Sequence, residues 1–242
     1  MPTSDRTYPS VWARPPRQGR TTLTRERIVT EALRLLDTEG IEALSMRKLA
    51  AALEAGTTSL YWHVANRDEL IELVIDAVYG EIDVPEPGEA PDWRTAARQV
   101  ARDMRATVVR HRWLVSVLDQ LVVAYTGPNL SRISEQMLAL FESAGFELPE
   151  AERAMSTMSA YVLGIGLSEA AWHGWMERHG QTAQDWAVGN TEVAEQVAEG
   201  FPRLREVMSG YEGKDPLQAA DADFEYGLDR VLDGLQARLD AD

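Results

Sequence analysis

Apolar residues recur every three or four positions through most of the chain, and this spacing restricts the fold to helices. One such stripe comprises Ile28, Ala32, Leu35 and Leu36. Another, near the C-terminus, comprises Phe224, Gly227, Leu228, Val231, Leu232 and Leu235. Side chains at this spacing share one face of a helix. No strand-like alternation of apolar and polar residues persists, so we predict an all-α fold.

Two short helices joined by a tight turn are predicted at Ser45–Leu53 and Thr57–His63. This is the spacing of a helix-turn-helix, in which the second helix enters the major groove of DNA. An ordinary helical hairpin with polar outer residues has the same spacing. The spacing alone therefore leaves both alternatives open.

Proline and glycine divide the chain into parts. Residues 83–91 hold three prolines and one glycine, which favours a boundary there. We predict a disordered basic arm over 1–22, a helix-turn-helix DNA-binding domain over 23–82, and a larger C-terminal ligand-binding and dimerisation domain over 83–242. Within the last part we expect helices over 92–110, 111–123, 129–144 and 149–176, before the final apolar stripe.

Charge is distributed unevenly along the chain. The net charge is −15, yet residues 1–67 carry +3 and residues 68–242 carry −18. A basic end on an acidic body would direct one face towards phosphate. An acidic protein with an arginine-bearing tail is the alternative explanation.

Composition excludes several classes of protein. The absence of cysteine excludes disulfides and thiolate zinc sites. No secretory pattern precedes the first helix and no apolar run is long enough to span a membrane, so we expect a cytoplasmic location with no membrane partner.

The segments LSMRKLA (44–50) and SLYWHVANR (59–67) resemble the DNA-binding domain of the TetR family. A weaker likeness continues through HR at 111–112, AGF at 144–146, LG at 163–164 and FEYGL at 224–228. The resemblance implies a ligand-responsive regulator, most simply a repressor, that releases a palindromic operator when a small molecule binds. It also implies a homodimer.

The resemblance assigns roles to residues at matching positions. Arg47 is expected to read a base, and Arg67 stands where the family commonly has a lysine that contacts phosphate. The DNA-binding residues that it implies are Arg47, Thr57, Thr58, Ser59, Tyr61, His63 and Arg67. One departure is the turn between the two short helices, where Glu54-Ala55 replaces the usual Gly-Val and puts the operator sequence in doubt.

Methionine and tryptophan are concentrated in the C-terminal part. Each of them has an ordinary core role as its alternative, but together they suit the adaptable wall of a site for an apolar or aromatic ligand. The candidate ligand-binding residues are Met104, Trp113, Val117, Met137, Phe141, Met155 and Trp172.

Two C-terminal helices have more apolar surface than one subunit can cover. Helix 149–176 and the final stripe therefore predict a dimer interface built as a four-helix bundle. Gly227 would allow the helices to approach closely. The candidate interface residues are Leu163, Gly164, Leu167, Phe224, Leu228, Val231 and Leu235.

No metal or other cofactor is predicted. Glu169 and His173 are four residues apart, as are His173 and Glu177, so two such residues could share a metal. A salt-bridge ladder is the favoured alternative, and no third ligand is near in the sequence. The resemblance argues against a tetracycline–magnesium site, because the family's metal-binding histidine falls on Leu118 and a pocket histidine falls on Asp83.

Two other classes of function remain as alternatives. An enzyme built on a helical bundle would need convergent polar groups, and none of the usual nucleophile, phosphate-loop or zinc motifs is present. A protein-interaction module would bind no DNA, so a mobility shift with DNA fragments separates it from a regulator.

Overall fold

The structure is a computed structural model that describes residue 12 and residues 23–86, 88–117, 127–186, 200–210 and 213–241. Within these ranges the regular structure is helical and contains no strand. The prediction of an all-α fold is confirmed.

The helices of the N-terminal part are short. They are α1 (Arg25–Glu39), α2 (Met46–Ala52), α3 (Thr57–His63) and α4 (Arg67–Tyr79), with a 3₁₀ turn at Ile41–Ala43. We call residues 23–64, which contain α1 to α3, the head.

The C-terminal part contains the longer helices. They are α5 (Trp93–Arg110), α6 (Pro128–Ser143), α7 (Leu148–His179) and α9 (Pro216–Leu239), and the short helix α8 (Pro202–Ser209) precedes α9. A 3₁₀ helix at Arg112–Val117 follows α5. The helix predicted over 111–123 is therefore a 3₁₀ helix, not an α-helix, as far as Val117. Residues 118–123 of that prediction lie outside the described residues.

Local capping explains where several helices begin. The side chains of Thr24, Ser45, Asn66 and Asp92 each accept a hydrogen bond from the backbone N–H three residues later. These bonds satisfy donors that the first helical turn leaves unpaired. The side chain of Glu69 accepts in turn from the N–H of Ala65, the residue before the cap, at 2.9 Å.

Two apolar cores meet at α4. The first packs α1 to α4 against the 3₁₀ helix after α5, with Ile28, Leu49 and Leu60 fully buried. The second lies among α5, α6, α7 and α9. Tyr79, at the end of α4, packs against both cores, so this helix joins the head to the larger core.

A ladder of ion pairs fastens α5 to α9. The pairs are Arg94–Asp233, Arg98–Asp229, Arg102–Glu225 and Arg105–Asp221, at 2.5–2.8 Å. The chain places arginines and acids one turn apart on antiparallel helices, which brings each pair together. Arg105 also binds Glu169 of α7 through both carboxylate oxygens. The carboxylate of Glu169 is thus paired with an arginine. This pairing supports a salt bridge, not a metal site, as the reason for the four-residue spacing of Glu169 and His173.

Across the described ranges, no helix combines the length and apolarity that crossing a bilayer requires.

Candidate DNA-binding face and effector cavity

The α2–α3 pair has the geometry of a helix-turn-helix. Leu49 of α2, Leu60 of α3 and Val64 just after it are at most 1% exposed and hold the two helices together. The opposite side of α3 faces solvent, with Tyr61 at 47% and Trp62 at 63% exposed. The pair therefore presents α3 as an outward-facing helix on a rigid support.

The turn between these helices contains Glu54 in a left-handed conformation, with φ 53°. The N–H of Glu54 donates to the carbonyl of Ala51, and that of Ala55 donates to Ala50. This pair of bonds is the Schellman motif, whose left-handed position normally holds glycine because a Cβ is unfavourable there. The departure at Glu54 is therefore a strained site.

We expect Glu54→Gly to raise the free energy of unfolding by about 1 kcal/mol, since it relieves the left-handed strain. Urea unfolding followed by circular dichroism measures this. Glu54→Ala is the matched control: it removes the same charge but keeps the strain. Equal stability of the two variants would contradict the strain argument, and comparing DNA affinity between Glu54→Ala and the parent isolates the effect of the charge.

The predicted DNA-binding residues lie on or beside the exposed side of the pair. Arg47, Thr58 and Tyr61 are exposed, while Thr57, Ser59 and His63 are half-buried on the flanks of α3. Arg47 makes no ion pair with any described residue. Sequence reasoning missed Trp62, which lies one turn after Thr58 and shares its exposed side.

Arg67, which is predicted to contact DNA phosphate, also makes a hydrogen bond within the protein. Its Nη2 donates to the carbonyl of Ile41 at 3.2 Å, across the start of α4. This bond ties α4 to the turn that precedes α2. Because guanidinium has five N–H donors, the remaining ones can still reach a phosphate.

A cavity lies behind α4, between this helix, α5, the 3₁₀ helix and α7. Its volume is about 20 Å³, enough for about one water molecule, and its wall comprises Ile75, Val78, Tyr79, Ile82, Met104, Thr107, Val108, Leu114 and Leu163. The wall is apolar except for the hydroxyls of Tyr79 and Thr107. Burial raises the pKa of Tyr79, so this hydroxyl stays neutral and can donate or accept one hydrogen bond.

Of the seven predicted ligand-binding residues, Met104 lines this cavity. Trp113 and Val117 are buried in the first core, and the indole N–H of Trp113 donates to Asp37 at 2.9 Å. Met137 and Phe141 are buried in the second core, with Met155 partly buried against it. Trp172 packs edge-on against Trp186. Apolar residues of α4, Ile75 and Val78, complete the cavity wall, and the sequence did not mark them as part of a site.

The predicted interface residues lie in three different environments. Phe224 and Leu228 are at most 1% exposed and pack in the second core of their own chain, which leaves them almost no surface to offer a partner. Leu163 faces the cavity and Leu167 packs on the first core, while Val231 and Leu235 pack partly on the second. Gly227 makes room for Tyr161 of the same chain, not for another helix of a partner.

Gly164 lies on a different face of α7, which is exposed. This face, which we call the small-residue stripe, comprises Thr157, Ala160, Gly164, Ser168, Ala171 and Trp175. These residues recur at spacings of three and four, as a helix seam requires. A Cβ added to Gly164 would meet no atom within 4 Å, so the surface there is open.

A helix-turn-helix head joined by one helix to a helical body with an internal cavity defines the class of ligand-responsive DNA-binding regulators. Comparison with known proteins agrees. The profile of the bacterial regulatory proteins of the tetR family matches residues 28–74, and that of the tetracyclin repressor-like C-terminal domain matches residues 84–239.

Individual relatives match over nearly the full length. An HTH-type transcriptional regulator of Saccharopolyspora erythraea is 35% identical, with 97% of this chain and 94% of the relative covered. The HTH-type transcriptional repressor DrrR1 of Streptomyces coeruleorubidus is 34% identical, with 96% and 85% covered. The TetR family protein ActR of Streptomyces coelicolor, in complex with actinorhodin, is 33% identical with a TM-score of 0.72, covering 90% of this chain and 97% of ActR.

The chain belongs to the TetR family of transcriptional regulators. It is accordingly a ligand-responsive DNA-binding regulator that acts as a homodimer. The alternatives of an enzyme or of a protein-interaction module without DNA binding are set aside, since the family and the named relatives are regulators.

Proposed function

We propose that this regulator is a repressor that releases a palindromic operator when an apolar or aromatic molecule enters the cavity behind α4. One observation carries the proposal. The helix that lines the cavity with Ile75, Val78 and Tyr79 is the same helix whose first residue, Arg67, follows the recognition helix α3. We place its action in the cytoplasm, where operator DNA is found.

The proposed division of the chain follows from this connection. Residues 23–82 bind DNA, residues 83–242 bind the effector and the partner subunit, and the arginines of residues 1–22 add contacts to DNA. The proposed DNA-binding residues are Arg47, Thr57, Thr58, Ser59, Tyr61, His63 and Arg67, together with Trp62. Two heads of a homodimer would insert their α3 helices into successive major grooves, about 34–36 Å apart.

We expect Arg47→Ala to weaken operator binding by about 1–3 kcal/mol and to relax specificity at one base pair. The reason is that Arg47 is exposed beside α3, where its guanidinium can bind a guanine edge with two hydrogen bonds. Fluorescence anisotropy with the operator and with single-base variants measures both effects. Arg34→Ala is the control, because Arg34 is an exposed arginine of α1 that pairs with Glu31. Equal affinities of these two variants across all the sequences would exclude a base contact by Arg47.

The lining of the cavity indicates the class of effector. Seven of its nine residues are apolar, and the hydroxyls of Tyr79 and Thr107 offer one or two directed hydrogen bonds. Such a wall selects a largely apolar molecule with few polar groups. The complex of ActR with actinorhodin supplies a first aromatic probe.

Release follows from the positions of the helices. A molecule between α4, α5 and α7 must push at least one of them outwards, because the second core is closely packed on their far side. A displacement of α4 would change the separation of the two heads. The spacing of two successive major grooves is fixed, so the two α3 helices would no longer fit both grooves at once. Operator affinity therefore falls.

The proposed subunit interface is the small-residue stripe of α7 with the exposed side of α9. Tyr226 on α9 is 66% exposed, and Gly234 has open space above it. Small side chains allow helices of two subunits to approach closely. Of the interface residues predicted from the sequence, Gly164 remains in this proposal, because Leu163, Leu167, Val231 and Leu235 pack against the two cores of their own chain.

Selection of binding sites from random duplex DNA tests the proposal first. We expect a palindrome, and mobility shifts with that palindrome should show release on addition of actinorhodin. Leu163→Trp fills the cavity from α7 and should abolish the response to actinorhodin. A failure to enrich any sequence would overturn the DNA-binding part, while release that persists in Leu163→Trp would place the effector elsewhere.

A further inference from the structure

A buried carboxylate fastens the later turns of α4 to the start of α6. Asp76 of α4 is 5% exposed. It accepts from the backbone N–H groups of Asn129 and Leu130, both at 3.1 Å, and from the side-chain amide of Asn129 at 3.0 Å. No arginine or lysine among the described residues pairs with it. Its charge is therefore stabilised by N–H groups and by the positive dipole end of α6.

Two glycines allow the helices to approach closely at this contact. A Cβ on Gly127, the residue before α6, would overlap the carboxylate of Asp76. A Cβ on Gly80, the residue after α4, would lie 3.1 Å from the side-chain amide of Asn129. Asp76 and Asn129 thus fill the space between the two backbones. The end of α4 cannot slide along α6 without breaking their hydrogen bonds.

The attachment to α6 continues beyond α4. Arg132 donates to the carbonyl of Ile82 at 3.5 Å, and the amide of Gln136 donates to Glu86 at 3.3 Å. Asn129, Arg132 and Gln136 follow one another at spacings of three and four, so they lie on one side of α6. This side of α6 therefore holds both the later turns of α4 and the chain that follows.

The beginning of α4 is attached to the head instead. Arg67 donates to the carbonyl of Ile41, which precedes α2. Leu70 and Ile71 are fully buried in the first core, with the apolar residues of α1 to α3. The two ends of one helix are therefore held by different parts of the molecule.

The cavity acts on α4 at and beyond the Asp76 contact. Ile75 lies beside Asp76, and Val78 and Tyr79 follow it, whereas Arg67 precedes it by nine residues, or about 14 Å of helix. The cavity has a volume of about 20 Å³, so an effector must widen it and push these side chains. With Asp76 held by α6, a push on Val78 and Tyr79 turns the helix. The beginning of α4 then moves in the opposite direction.

We propose that the contact of Asp76 with the start of α6 is the pivot about which α4 turns, which makes Asp76 a positioning residue for the head. Its part in release rests on the proposed function of the cavity. The pivot itself acts without an effector, because the contact holds α4 in the free dimer. Loss of the contact lets α4 shift as well as turn, so the two heads sample a wider range of separations.

The distribution of distances between the two heads tests the pivot without an effector. The chain has no cysteine, so Ala52→Cys at the exposed end of α2 places one spin label on each head of the dimer. Pulsed electron paramagnetic resonance measures the distances between these labels. Asp76→Ala removes the carboxylate, and Gly127→Ala displaces it but leaves it in the chain. We expect each variant to broaden the distribution about twofold.

Two controls separate the pivot from a general loss of stability. Asp92→Ala also removes a helix cap, because Asp92 accepts from the N–H of Thr95 at the start of α5, and its head distances should match those of the parent. Labels at Glu142→Cys, exposed on α6, should give the same narrow distribution in every variant. A merely stabilising role of Asp76 would lower the free energy of unfolding and leave the head distances unchanged.

Actinorhodin then tests the turning motion. We expect it to shift the mean distance between the heads of the parent, and to shift that of Gly127→Ala less than about half as far, because α4 no longer turns about a fixed point. Equal shifts in the two proteins would show that α4 moves without this pivot and would contradict the proposal.

Head distributions of Asp76→Ala and Gly127→Ala that are as narrow as that of the parent would overturn the proposal. If Asp76→Ala does not fold, Gly127→Ala decides the question, since it keeps the carboxylate. A failure of the proposed function appears separately, as a parent dimer whose head distances and operator affinity do not respond to actinorhodin. That result leaves the comparison of the variants without effector unchanged.

Discussion

Replacing Gly164 by arginine should convert the dimer into folded monomers and abolish specific operator binding. Gly164 lies at the middle of the small-residue stripe of α7, where an added side chain meets no atom of its own chain. The fold of the monomer should therefore survive. In the dimer, the same side chain would force two helices apart and bring two positive charges together.

Light scattering measures the first effect, as a fall from twice the chain mass to the 27.0 kDa of one chain. Operator affinity should fall by about a thousandfold or more, towards non-specific binding, because a single head reads only half of the site. Glu142→Arg is the control: Glu142 is exposed on α6, away from the stripe. A Gly164→Arg protein that remains dimeric would exclude this face as the interface.

Asp76→Ala should lower the free energy of unfolding by about 2–3 kcal/mol. Asp76 of α4 is 5% exposed and caps α6 from outside that helix. Its carboxylate accepts from the backbone N–H groups of Asn129 and Leu130 at 3.1 Å and from the side-chain amide of Asn129 at 3.0 Å. The residue at the start of α6, Gly127, has no side chain to do this and leaves space for Asp76.

Urea unfolding followed by circular dichroism measures this loss. Asp76→Asn keeps one acceptor oxygen at the same place, so it should lose about half as much stability. The two variants together separate the hydrogen bonds from the buried volume. If Asp76→Ala were within about 0.5 kcal/mol of the parent, the contact between α4 and α6 would not contribute as described.

The beginnings of the helices could be predicted from the sequence because capping is local. Ser45 and Asp92 cap helices where the sequence predicts them, since a cap bonds only three residues along the chain. The match of the two recognition segments to a known family was likewise carried by contiguous residues. Both kinds of signal can be recognised without knowing which residues from distant parts of the chain lie nearby.

The partners of apolar residues could not be predicted in this way. Periodicity showed that Phe224 and Leu228 are buried, but the same stripe serves a core within one chain or an interface between two. The cavity presents the same difficulty, because a void depends on the relative positions of four elements. Met104 was predicted because its residue type suits such a wall, whereas nothing in the sequence distinguished Tyr79 as a residue of the site.

Some long-range contacts do correspond to a pattern in the sequence, although the sequence-based predictions did not use it. The arginines at 94, 98 and 102 recur every four residues, and acids at 225, 229 and 233 do the same on α9. Two complementary periodic rows predict antiparallel pairing of helices. The contacts of Asp76 correspond to no such pattern, since Asn129 and Leu130 lie 53 and 54 residues away.

The central claim is that the cavity behind α4 controls DNA binding, and reciprocal titration tests it most directly. The dissociation constant of the selected operator is measured with and without saturating actinorhodin, and that of actinorhodin with and without operator, followed by tryptophan fluorescence. We predict that each ligand weakens the other by the same factor, about 5–150-fold. The account is contradicted if a compound that binds the parent, and does not bind Leu163→Trp, leaves operator affinity unchanged.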